Sequence, residues 1–138
     1  MLIHLHVKNL ALIEQADVEF GNGLNILTGE TGAGKSIIIG SVALALGAKA
    51  SKDMIRRGED YAYIELTFSV DDEKKREELK SMDVYPDDDG LLIISKKITP
   101  KRSISRINDE TVTTARLKAV TGKLLDIHGQ HEHQSLLH

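Results

Sequence analysis

Gly29, Glu30, Thr31, Gly32, Ala33, Gly34, Lys35 and Ser36 run in the pattern G-x-x-x-x-G-K-[ST]. Glycines at 29, 32 and 34 let the backbone close around a phosphate group, so that N–H donors rather than side chains face the anion. A helix that starts inside the motif adds its unpaired N–H groups and the positive end of its dipole. Lys35 is then placed to reach the β- and γ-phosphates of a nucleoside triphosphate, and the Ser36 hydroxyl to ligate Mg2+. Ile37 carries the motif into the helix. The bland alternative is a glycine-rich turn that binds nothing. The neighbouring sequence argues against it, because a short apolar run at 24–28 reads as a strand and the run from 35 reads as a helix.

A second group follows near the end of the sequence, Asp126-Ile127-His128-Gly129-Gln130. Both of its functional readings bring Gln130 to the γ-phosphate. In one, Gln130 belongs to a loop joining two lobes of an ATPase head, ligates Mg2+ and orients the attacking water. In the other, D-x-x-G-Q is a GTPase switch, with Asp126 serving Mg2+, the Gly129 N–H sensing the γ-phosphate and Gln130 positioning water. An ordinary strand end is the third reading, and without the glycine-rich motif it would be preferred. His128, His131, His133 and His138 lie close together in sequence but straddle this loop, and their spacing is poor for a zinc site. They read as loop and helix-start residues, with His128 or His131 lining the nucleotide site.

These residues need elements to hold them. Residues 2–7 and 13–20 alternate apolar and polar positions across a polar step at Lys8-Asn9, which predicts two antiparallel strands. Gly21-Asn22-Gly23 predicts a turn before the strand at 24–28. The run from Lys35 to Gly47 is apolar on nearly every side and predicts a central, covered helix ended by that glycine. From 61 to 70, Ala62, Ile64, Leu66, Phe68 and Val70 alternate with polar residues, as in a sheet with one wet face. Asp71-Asp72 predicts the cap of a peripheral helix through Met82, with surface pairs Glu73–Arg76 and Glu77–Lys80. Strands at 91–98 and 103–108 follow, then a tight turn at Asn108-Asp109. A helix capped by Thr113 or Thr114 is expected to end near Gly122, with 124–128 as a buried strand.

Composition sets the outer bounds. The 138 residues suffice for one modest domain, and at 41% apolar but only 4% aromatic content its core must be aliphatic, which suits an α/β interior. With no cysteine there is no disulfide and no thiolate metal site, and the cytoplasm is the expected compartment. No apolar run approaches the roughly 20 residues of a membrane span, and the N-terminus lacks the order of a signal peptide. A net charge of −3 gives no global attraction to nucleic acid, so any DNA contact must be local. Two basic clusters qualify, Arg56-Arg57 and the set Lys96, Lys97, Lys101, Arg102 and Arg106; each alone reads as solvated strand ends and turns.

Taken together, G-E-T-G-A-G-K-S-I, Ile55-Arg56-Arg57-Gly58, the opening V-K-N-L-A-L-I-E and the D-I-H-G-Q-H-E-H-Q segment resemble the RecN family of bacterial DNA repair proteins over essentially the whole sequence. That family is similar to the SMC proteins, whose ABC-type ATPase heads are assembled from both ends of a chain separated by a long coiled coil. The resemblance implies that residues 1–138 are the N-terminal lobe of such a head. It implies an α/β P-loop fold, with a strand and helix at the core and an antiparallel meander at 61–113 flanking them. It also implies ATP and Mg2+ as ligands, Gly29 to Ile37 as the Walker A segment, and Gln130 as the Q-loop glutamine. The partners implied are a second lobe or subunit, giving a homodimer in the intact protein, and DNA at the nucleoid, for which Arg56 and Arg57 are the candidate contacts. Neither the L-S-G-G signature nor the Asp-Glu of a Walker B strand is found in the sequence. This segment alone is therefore expected to hydrolyse ATP poorly or not at all.

Overall fold

Among the described residues, period-two alternation and helical periodicity give seven strands and three α-helices. The computed structural model describes residues 2–20, 24–26 and 32–125. The order is β1 (Leu2–Leu10), β2 (Ile13–Phe20), β3 (Leu24–Ile26) and α1 (Gly32–Ala45), then a single 3-10 turn at Lys52–Met54. It continues with β4 (Ala62–Ser69), α2 (Glu73–Lys80), β5 (Leu91–Ile98), β6 (Ser103–Ile107), β7 (Glu110–Val112) and α3 (Thr114–Leu125). The strands form one sheet in the order β3-β2-β1-β4-β5-β6-β7, every neighbouring pair antiparallel.

The meander thus does more than flank the N-terminal strands. β1 pairs with β4 along its length, Leu5 opposite Leu66 and Val7 opposite Ile64, so both segments share one sheet. Each supplies an open edge that the other satisfies. One face is the core: Leu5, Val7, Ile64, Leu66, Phe68, Leu92, Ile94 and Ile98 are almost wholly buried. Helix α1 lies on this face against β4 and β5, and α3 against β6 and α2. Ile38, Ser41, Val42, Leu44 and Ala45 of α1 are buried, whereas Gly40 is exposed and Ile39 and Ala43 half-buried. The helix expected to be covered all round is covered on the sheet side and along its flanks, with the 39–40–43 edge turned away.

Three boundaries differ from the sequence reading. Lys8 and Asn9 do not end β1, which continues to Leu10; Asn9 and Ala11 take left-handed backbone (φ 55° and 53°), and the turn falls at Ala11-Leu12. The helix at 73 ends at Lys80 rather than Met82, and Arg76 donates to the Val70 carbonyl at 2.8 Å. Gly122 does not end α3. It has no left-handed φ, and the buried stripe Leu117, Val120, Thr121, Leu124 keeps the helical period past it, so Leu124 and Leu125 are helical rather than strand. Thr113 is the residue that caps α3, its hydroxyl accepting the Arg116 N–H at 3.1 Å.

Candidate nucleotide-binding site

Strand β3 ends at Ile26 and α1 begins at Gly32, so the helix starts inside the glycine-rich motif. Gly32, Ala33, Gly34, Lys35, Ser36 and Ile37 all fall in the opening turns of α1, and its first turn holds no acidic residue to compete with an anion. A strand before the motif and a helix that starts within it are the two described elements that phosphate binding by backbone N–H groups calls for. Gly29, Glu30 and Thr31 lie outside the described residues, as do Asp126, His128, Gly129, Gln130, His131, His133 and His138. Among the described residues no cluster of three or more His, Asp or Glu side chains is arranged to hold a metal ion.

The far end of α1 is built with equal care. Gly47 (φ 121°) follows the helix, and the Ala48 N–H returns to the Ala43 carbonyl at 3.0 Å, closing the last turn. The Lys96 ammonium donates to the carbonyls of Leu44 at 3.2 Å and Ala48 at 2.9 Å. Lys96 was grouped with solvated basic residues in the sequence reading, but it is only 4% exposed. Strand parity explains this: Leu92, Ile94, Lys96 and Ile98 all face the core. Burial first, and the nearby Lys118 charge second, pull its pKa below the ordinary lysine value of 10.5. A lysine on the apolar parity of a strand was the available signal.

The hairpin that leads to β3 is tied by an ionic cluster on the open face. Asp17 Oδ1 lies 2.9 Å from His6 Nδ1 and 3.2 Å from His4 Nε2. The hydrogen bond with His6 is the main cause that holds the Asp17 carboxyl below its ordinary 3.8, against an upward push from burial, and the His6 and His4 charges add to it. A depressed carboxylate stabilises the fold above its unfolded pKa, and this contribution is lost as pH falls through the lower folded value. Asp17→Asn should therefore lower stability slightly above about pH 3.8, neutrality included, and the two profiles should converge as pH falls below that value. Urea midpoints across the acid range check this; the change should be small, because Asp17 is 40% exposed and its pairs are screened by water.

Antiparallel pairing also gathers charge. β1 ends, β4 begins and β5 turns into β6 at one end of the sheet. There the Arg56 N–H is anchored to the Asn9 carbonyl at 2.8 Å, holding Arg56-Arg57 beside the end of β1. Lys52, Lys101 and Arg102 line a concavity of about 270 Å3 between the 3-10 turn and the β5–β6 hairpin. Lys8 and Lys97 place their ammonium groups 5.8 and 5.0 Å from the Tyr61 ring centre, within cation–π range. The opposite end carries Asp71, Asp72, Asp87, Asp88, Asp89 and Asp109. A net charge of −3 thus conceals an end-to-end separation of charge.

The open face holds a larger concavity of about 480 Å3, lined in part by Tyr63, Glu65, Ser95, Lys97 and Arg106. It lies on the side of the sheet away from α1. Tyr63 spends its hydroxyl on Glu65 at 2.8 Å, and the lining mixes charges of both signs, so it does not converge on a triphosphate.

A glycine-rich motif flanked by a strand and a helix, with that helix laid on an antiparallel sheet, defines a class. The chain belongs to the AAA domain family, whose family model matches residues 4–136. It is similar to the DNA repair protein RecN of Halalkalibacterium halodurans, 44% identical over 139 aligned residues that include all of this chain and 25% of the relative. It is similar also to the RecN of Bacillus subtilis, 39% identical over 138 residues, 99% of this chain and 24% of the relative. The chain thus spans about a quarter of the length of these relatives. In fold it resembles a solved chain from work on ATP-driven dimerization and DNA-stimulated activation of SMC ATPases, with TM-score 0.64 at 18% identity over 99% of this chain and 96% of that one. A RecF structure aligns with TM-score 0.56 at 14% identity over 85% of this chain and 29% of the other. The fold is thus shared with solved SMC head structures.

Proposed function

We propose that residues 1–138 form the N-terminal lobe of an ATP-binding head that acts, together with a second lobe, as a cytoplasmic SMC-like ATPase in DNA double-strand break repair and recombination. The observation that carries the nucleotide part is the start of α1 at Gly32, inside the motif and free of acidic residues in its first turn. Gly29 to Ser36 wrap the phosphates, Lys35 reaches the β- and γ-phosphates, Ser36 ligates Mg2+, and Gln130 adds the second element of the same site. When bound, Mg2+ neutralises charge on the transferring phosphate. The repair part rests on similarity to proteins named RecN. The GTPase reading is not favoured, since no N-K-x-D guanine-selecting motif occurs in the sequence. Calorimetric titration should show magnesium-dependent ATP binding that exceeds GTP binding. Equal or tighter GTP binding, or none of either, overturns the assignment.

DNA is the second ligand of the proposal, and the basic end of the sheet is its surface. Arg57, Lys52, Lys101 and Arg102 are exposed there, with Arg56 half-buried beside them. Each phosphate contact releases counterions, so replacing Arg56 and Arg57 by Glu should reduce the slope of log K against log salt by about 2. Binding should weaken alike on all sequences. An unchanged slope in the full-length protein removes this surface from the DNA site.

A further inference from the structure

We infer that Lys96 is a positioning residue for the nucleotide site, holding from the sheet the C-terminal end of the helix whose N-terminal end carries Lys35 and Ser36. The inference rests on the nucleotide reading above. Lys96 occupies a core position of β5, where Leu, Ile or Val satisfies the strand without a charge, and it is nevertheless buried. Among the described residues its ammonium is met by carbonyls, those of Leu44 and Ala48, rather than by a carboxylate. The Leu44 carbonyl belongs to the last turn of α1, the negative end of its dipole, where a cation is favoured and the oxygens have no helical partner, and the Ala48 carbonyl follows just past Gly47.

The same end is gripped from a second side. A Cβ built on Gly47 would lie 3.1 Å from the aliphatic chain of Lys118, so α3 packs directly against the residue that ends α1. α3 leads in sequence to Gln130. The Lys96–Gly47–Lys118 junction is therefore where the helix of the phosphate loop and the helix preceding the candidate glutamine meet the sheet. A helix of 14 residues is a rod of about 21 Å, so a shift at its held end is carried to the other. Interiors are packed too closely to absorb such a shift along the way.

The test uses the full-length protein and Mg-ATP as the probe. Lys96→Met keeps the length of the stem and removes the donors, while Lys80→Met removes one charge from the exposed end of α2 as a control. Affinity is measured by calorimetry at a low temperature at which circular dichroism shows each variant folded, and the melting temperature is read separately. Lys96→Met should raise Kd about tenfold, and Lys80→Met should leave it unchanged within about twofold. If Lys96→Met does not fold, Lys96→Gln, which loses the charge and is one atom too short to keep both contacts, takes its place. A rise in Kd of more than about threefold in the folded variant supports the inference, and a smaller one overturns it even if the melting temperature falls, because a merely structural lysine moves stability alone. Absence of Mg-ATP binding to the unaltered protein overturns the nucleotide reading, and this inference with it; binding retained by both variants overturns this inference alone.

Discussion

Lys35→Ala should remove most of the affinity for Mg-ATP while leaving the fold intact. Hydrogen bonds to charged groups are worth about 1.5–3 kcal/mol each, and the lysine addresses two phosphates, so Kd should rise by about two orders of magnitude. A thermal-shift measurement makes this visible. At a concentration near 100 times the unaltered Kd, binding adds about 2.7 kcal/mol, which for a domain of this size is a rise of roughly 10 °C. For the variant the same concentration is only about its own Kd, and the gain falls to about 0.4 kcal/mol, or 1–2 °C. The ligand-free melting temperatures should agree, since a lysine in the first turn of a helix contributes little to burial. Equal ligand-induced rises in both proteins would show that the glycine-rich loop is not the phosphate site.

That prediction was readable because the motif is contiguous: eight neighbouring residues carry their spacing with them, and the structure adds only that α1 begins among them. β4 was readable for a similar reason, its parity being stated by Ala62, Ile64, Leu66, Phe68 and Val70 in turn. Parity says which side of a strand is buried and nothing about its neighbour. The union of β1 with β4, some 60 residues apart, was therefore hidden, and with it the single sheet. The basic surface was hidden for the same cause. Arg56-Arg57 and the set Lys96, Lys97, Lys101, Arg102 and Arg106 look like separate solvated clusters until antiparallel pairing brings Arg56, Arg57, Lys97, Lys101 and Arg102 to one end, where Lys52 joins them. Lys96 was misjudged because its charged neighbours outweighed its parity, though Leu92, Ile94 and Ile98 fixed its direction. At α3 the glycine was given more weight than the period, whereas glycine ends a helix only where its backbone turns left-handed, as Gly47 does and Gly122 does not.

The largest expected loss of stability is at the centre of the sheet. β4 is the middle strand of the seven, and Phe68 on it is wholly buried, opposite Leu2 of β1 and Leu92 of β5. Phe68→Ala removes an aromatic ring from an otherwise aliphatic core and leaves a cavity that paired strands on both sides cannot close, so it should cost about 3–5 kcal/mol. Against a total of about 5–15 kcal/mol for a domain, that is a third or more of what holds the fold. Thr67→Ala, one residue away on the open face, should change stability by less than about 0.5 kcal/mol. Urea denaturation separates the two: the midpoint of Phe68→Ala should fall sharply with the slope unchanged, and that of Thr67→Ala should not move. Equal, small shifts in both would mean that β4 is not central to the core, which would also undo the placement of α1 against it and the hold of Lys96 on its far end.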